Sequence, residues 1–176
     1  MEHNPTRNPA GSSRRSGLAR VVAWIHAVPT AVCPHVEWAV GRLRDEPVRL
    51  EWAPQPILPR HQRAELSWVG EPGSAAALAS ALRPMGRIWF EVAEDATGIP
   101  GERFSFTPSL GLFRAAIDAH GDIVIHESRL RMLLDEPGIG IQAGLELLLG
   151  SDWDAELEPF RIAGEAGTVR VLHHVV

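Results

Sequence analysis

A chain of 176 residues is about the length of one ordinary domain, so a single hydrophobic core is expected. Its 45% hydrophobic and 22% charged residues lie near the globular average, far from disordered or fibrous compositions. The net charge of -5 argues against a nucleic-acid partner, because phosphate binding needs a surplus of Lys and Arg. No stretch reaches the roughly 18 uninterrupted apolar residues of a membrane helix, and no membrane partner is expected. The N-terminus lacks the apolar run of a signal peptide, and Cys33 is the only cysteine. No internal disulfide can form, and a cytoplasmic location is expected.

Residues 1–18 are rich in Asn, Pro, Gly, Ser and Arg and have too little to bury to offset the entropy of ordering, which predicts a disordered tail. Residues 19–176 are expected to form one α+β domain. The β-branched and aromatic residues of 21–27 predict a strand. A helix is predicted over 34–44, where Val36, Ala39, Val40 and Leu43 recur at helical spacing behind Pro34. Alternation predicts strands over 48–53 (Val48, Leu50 and Trp52 inward), 63–69 (Ala64, Leu66 and Trp68 inward) and 87–92 (Ile88, Phe90 and Val92 inward). Between the last two lies an alanine-rich helix with the stripe Ala75, Leu78, Ala79 and Leu82, small enough to lie close on a sheet.

The first half thus reads β-α-β-β-α-β, a ferredoxin-like arrangement with two helices on one face of the sheet. Its other face would carry Arg49, Glu51, Arg63, Glu65, Ser67, Arg87, Trp89 and Glu91, and either meets water or is covered by the rest of the chain. In the second half, residues 103–107 and 112–118 predict a hairpin, with a short strand over 123–125. Helices are expected over 127–134 and 139–149. Gly150 closes the second of these, and Ser151-Asp152-Trp153-Asp154 has the capping-box form that opens a further short turn. A last strand over 168–175 is expected to end the chain, so that the C-terminal half packs on the first as one unit.

Chemistry-bearing candidates are few. Cys33 falls at the start of the first helix, where free N–H groups and the dipole favour a thiolate, and His35 could assist as a base. The same Cys can equally be a small buried residue. Cys33, His35 and Glu37 do not converge on one helix face, so they form no metal site. His173 and His174 alternate across the expected last strand and diverge likewise. The acidic run Asp152, Asp154, Glu156 and Glu158 lacks the glycine and terminal Glu of a calcium loop and reads as a solvated helix start. No nucleophile-elbow or phosphate-loop motif occurs, and neither a metal nor a cofactor is expected. Among the six Trp, Trp52 and Trp68 fall on apolar faces. Trp38 lies opposite its helix's apolar stripe and Trp89 lies on the polar sheet face, which marks both as candidate interaction residues.

Several strings are distinctive: CPHVEWAV (33–40), LEWAPQP (50–56), AELSWVGEPGSAAALASAL (64–82), FTPSLGLFRA (106–115), LLGSDWDAELEPFR (148–161) and VRVLHHVV (169–176). On these the chain resembles the actinobacterial family of unknown function DUF3145 over nearly everything after the leading tail. Pro84-Met85 departs from the larger aromatic of relatives. The resemblance implies an actinobacterial cytoplasmic protein and transfers no catalytic residues. The residues themselves favour a non-catalytic binding or regulatory protein acting on a protein or small-molecule ligand through the sheet face or an exposed Trp; a homodimer is compatible with this. The alternative is a small-substrate enzyme using Cys33 with His35.

Overall fold

The computed structural model describes residues 17–95, 97, 100–135, 138 and 140–172, the side chains of 165–172 excepted. The expected tail lies outside the described residues apart from 17 and 18. Seven strands form one antiparallel sheet: β1 (Ala19–Pro29), β2 (Ala53–Pro54), β3 (His61–Gly70), β4 (Trp89–Glu94), β5 (Gly101–Thr107), β6 (Gly111–Ile117) and β7 (Ile123–Val124), in the order β2-β3-β1-β4-β5-β6-β7. Among the described residues five α-helices accompany it: α1 (Cys33–Arg44), α2 (Ser74–Leu82), α3 (Glu127–Asp135), α4 (Ile141–Leu149) and α5 (Ser151–Leu172).

Because strand side chains alternate between faces, the sheet separates two environments. On the first face, Val21, Ala23, Ile25, Trp68, Phe90, Val92, Phe104 and Phe106 are buried against α1 and α2. The predicted stripes carry this contact: Val36, Ala39 and Val40 of α1, and Ala75, Leu78, Ala79 and Leu82 of α2, are all buried. The first N–H groups of α2 find no side-chain cap from their own helix start. Buried Glu94 of β4 takes that role, accepting from Gly73 N–H at 2.7 Å and Ala75 N–H at 3.0 Å, which satisfies donors that a helix otherwise leaves open.

The expected strand over 48–53 does not form; only Ala53 and Pro54 pair, with Arg63 and Gln62. The cause is Glu37. Its carboxylate accepts from Leu50 N–H at 3.0 Å, Trp52 Nε1–H at 3.1 Å and Arg49 Nη1–H at 2.6 Å, tying the segment to α1 instead of to a ladder. Val48, Leu50 and Trp52 still pack against the core, so the alternation reported burial correctly and pairing wrongly. The fourth strand begins at Trp89, which removes Arg87 from the polar face, and the missing strand over 48–53 removes Arg49 and Glu51.

The C-terminal half differs most from expectation. The short turn at Ser151 is the start of a 22-residue helix that runs through Pro159, and residues 168–172 are helical rather than extended. The rest of the predicted last strand lies outside the described residues, as do His173 and His174. Local β propensity is weak against tertiary packing: α5 lays Trp153, Leu157, Phe160, Arg161 and Gly164 across the second face at helical spacing, with Leu157 fully buried. Gly150, at φ 72°, turns α4 into α5 beside the Phe113 ring.

Candidate ligand pocket on the second sheet face

Along each strand, the residues between the core positions face α5. Cross-strand pairing sets Glu65 beside Trp24, Trp24 beside Glu91, Glu91 beside Ser105 and Ser105 beside Phe113. A carboxylate in that row, under a helix, has to be neutralised by partners brought to it. Three are supplied. A bulge in β1, between Ile25 and Val28, carries His26, and buried Gln55 accommodates it by donating Nε2–H to the His26 carbonyl at 2.6 Å. His26 Nε2–H then donates to Glu91 Oε2 at 2.7 Å. From β5, Arg103 Nη2–H reaches Oε1 at 2.5 Å. From α5, Arg161 forks onto both oxygens, Nε–H to Oε2 at 2.9 Å and Nη2–H to Oε1 at 2.8 Å.

Glu91 is only 4% exposed. Burial alone would raise its pKa, but the hydrogen bonds of His26 and Arg161 and the charge of Arg103 outweigh that and hold it well below the ordinary carboxylate range. Those same bonds to Glu91, with others to Asp154 and Glu158, push the Arg161 guanidinium further toward its charged form against the effect of burial. Asp154 Oδ1 accepts from Arg161 at 2.7 Å and Arg103 at 3.1 Å, closing the network. With four short donors on two oxygens, Glu91 has no lone pair to spend as a base. Its work is to hold α5 on the sheet.

A second set of contacts does the same further along. Glu156 accepts from Trp89 Nε1–H at 3.1 Å, from Thr107 at 2.9 Å and from Ser109. The Trp89 ring packs on Phe160 with centroids 5.5 Å apart and meets His61 edge-on at 6.1 Å. Trp153 donates to the Gly111 carbonyl at 2.9 Å and packs on Phe113. The acidic run is thus only partly a solvated helix start, since Asp154 and Glu156 serve as acceptors in the helix–sheet joint.

Beside this joint the two layers separate. A pocket of about 470 Å³ runs across the strands from Arg63 and Glu65 of β3, past Trp24, His26, Glu91, Ala93 and Arg103, to Ile117 of β6. Phe160, Arg161 and Gly164 roof it, and the exposed Glu65 and Gly121 stand at its rim. That volume is within the range of roughly 300–1,000 Å³ usual for small-molecule sites. Arg103 and Arg161 are committed to Glu91 and Asp154. Arg63 is different: its Nε is buried with no hydrogen-bond partner, and no ion pair or hydrogen bond of its side chain occurs among the described residues. Leaving such a donor unmet costs about 1–3 kcal/mol. A Cβ at Gly164 would stand 3.4 Å from Arg63 Nη1, so the bare backbone there leaves room for the guanidinium. Two residues along β3, His61 Nε2 is also buried and unpartnered, its Nδ1–H being given to the Pro59 carbonyl at 3.0 Å.

The residues singled out from sequence sit elsewhere or play other parts. Cys33 is buried in the first-face core, its thiol 3.9 Å from the Pro29 carbonyl, and burial raises its pKa, aided by the charge of Glu37. His35 is exposed, so the two are not gathered into one site. Trp38 is 64% exposed with Arg42 over its ring at 5.1 Å. Trp89 is covered by the chain's own α5. Glu91 and Arg63 belonged to the predicted polar face, but His26, Arg103, Asp154 and Arg161 had not been connected to them. The readable signal was a Glu and two Arg on strands whose opposite faces are apolar, together with the 153, 157, 160, 164 spacing that supplies a cover.

The fold and the pocket define a mixed α+β protein with a seven-stranded antiparallel sheet and a groove closed over by its C-terminal helix. The chain belongs to the family described as protein of unknown function (DUF3145), which it matches over residues 22–174. Comparison with curated proteins and with solved structures returns no match. No helix among the described residues is long and apolar enough to cross a membrane.

Proposed function

We propose that this chain is a non-catalytic binding or regulatory protein of the cytoplasm whose small-molecule ligand occupies the groove between the second sheet face and α5. The observation that carries the reading is the 470 Å³ pocket with aromatic walls, in which His26, Glu91, Arg103 and Arg161 are already bound to one another. A catalytic site needs a nucleophile and a base free to act; here Glu91 is saturated, while buried Cys33 and exposed His35 weigh against the enzyme alternative. The strand order β2-β3-β1-β4, with α1 and α2 on one face, supports reading the first half as a ferredoxin-like unit. On that reading β5, β6 and β7 extend it at the β4 edge, and α5 closes the face such sheets often use for ligands.

The neutral dye N-phenyl-1-naphthylamine, which brightens in apolar surroundings, tests the groove. It should bind the full chain with one-site stoichiometry, and Ala93→Leu, which fills the pocket floor, should abolish the signal while leaving the circular dichroism and thermal midpoint in place. No enhancement, or enhancement indifferent to Ala93→Leu, would remove the groove as a ligand site.

A second reading rests on Trp38, whose large ring on a wet helical face is a natural association point. Light scattering at rising concentration should show a mass increase that Trp38→Ala reverses; a constant monomer mass, with no partner retained, would discard it.

A further inference from the structure

We infer that the ligand of this groove is an anion with an aromatic or apolar body, and that Arg63 is the residue that holds its charge; this rests on the groove being a binding site. The pocket lining includes three arginines and two glutamates. Two of those arginines, Arg103 and Arg161, are neutralised by Glu91 and Asp154 within the protein. That leaves Arg63, which lines the pocket and whose side chain has no acceptor among the described residues.

An arginine in this position meets neither of its usual partners, water at Nε or a carboxylate of any described residue. The near carboxylate is Glu65, two residues along the same face, but it is exposed at the rim and makes no ion pair with Arg63. A planar, always-charged fork of N–H donors is matched by a carboxylate or a similar oxyanion. The rest of the cavity is unlike a site for a highly charged or heavily hydroxylated ligand. Trp24 and Phe160 offer ring surface, and Ala93 and Ile117 are apolar. One anionic end at Arg63 and an apolar body laid toward Ala93 and Ile117 would satisfy both halves of the lining. A polyphosphate would need a second uncommitted cation, which the described lining does not provide.

Two probes with the same body and different charge make the test: 2-naphthylacetate and its neutral amide, titrated calorimetrically into the full-length protein. The carboxylate should bind at least tenfold tighter than the amide. Arg63→Gln should collapse that ratio to within about twofold by weakening the carboxylate alone, and Arg63→Lys, which retains a charge without the fork, should keep part of it. Equal binding of the two probes to the wild-type chain, or a ratio unchanged in Arg63→Gln, overturns the anion assignment while leaving the groove intact. The same holds if both probes weaken together in a folded Arg63→Gln, because Arg63 would then only shape the cavity. If Arg63→Gln does not fold, the wild-type ratio and its retention in Arg63→Lys decide the matter. Failure of the neutral dye to report an Ala93-dependent site overturns the groove itself, a separate outcome.

Discussion

Arg161 forks onto both oxygens of Glu91 from 70 positions further along the chain, at 2.8 and 2.9 Å. The carboxylate it binds lies in the middle of the sheet, and the guanidinium comes from the middle of the helix that covers it. Breaking a buried pair by removing one member is expected to cost about 3–5 kcal/mol, because the other charge is left behind. Glu91→Gln should therefore lower the urea unfolding free energy by about 3 kcal/mol. The Glu91→Gln/Arg161→Gln double variant should lose clearly less than the sum of the singles, since the two act as one unit. Strict additivity would mean that Glu91 and Arg161 do not stabilise the fold as a pair.

The same pair makes stability depend on acid. The folded pKa of Glu91 is depressed below the value near 4.3 expected of an unfolded Glu, and Glu37 is shifted the same way: burial opposes the shift, and the hydrogen bonds from Leu50, Arg49 and Trp52 outweigh it. A depressed folded pKa contributes stability that is fully present above the unfolded value and is lost as pH falls through the folded one. Urea midpoints should fall progressively as pH is lowered from about 5, and Glu91→Gln should flatten that fall. An acid limb identical in the wild type and in Glu91→Gln would contradict the assignment.

Gly150 joins α4 to α5 at φ 72°, and a Cβ there would lie 2.6 Å from Cε1 of Phe113. Alanine meets backbone strain and ring overlap together, each of order 1–3 kcal/mol. Gly150→Ala should lower the thermal midpoint by several degrees. Gly138→Ala serves as the control, because no atom stands within 4 Å of a Cβ built there, and it should be close to neutral.

Cys33 should behave as a packing residue. Its thiol is buried and its pKa is raised, first by burial and then by the charge of Glu37, and the thiolate is the reactive form. Alkylation at neutral pH should be slower than that of a free thiol peptide and should accelerate on unfolding in urea. Rapid labelling of the native protein would revive the enzyme alternative.

What the sequence by itself determined was local and periodic. Alternation over residues 63–69 and helical spacing in Val36, Ala39 and Val40 report which side of an element is apolar, and that depends on neighbours only a few positions away. Most strands, four of the helices and the first-face core followed from it, as did the separation of Trp68 from Trp38. Tertiary structure decided the rest. Whether residues 48–53 pair as a strand turned on Glu37 capturing the Leu50 and Trp52 N–H groups, a bond across 13 positions or more that no local pattern encodes. Whether residues 151–172 continue as one helix turned on a long apolar and charged seam, from Trp153 to Gly164, that stabilises it only when a sheet lies beneath. The pocket belongs wholly to this second level. Arg63, Glu91 and Arg161 come from three distant elements, and only their packing leaves Arg63 uncommitted among the described residues while Arg103 and Arg161 are paired.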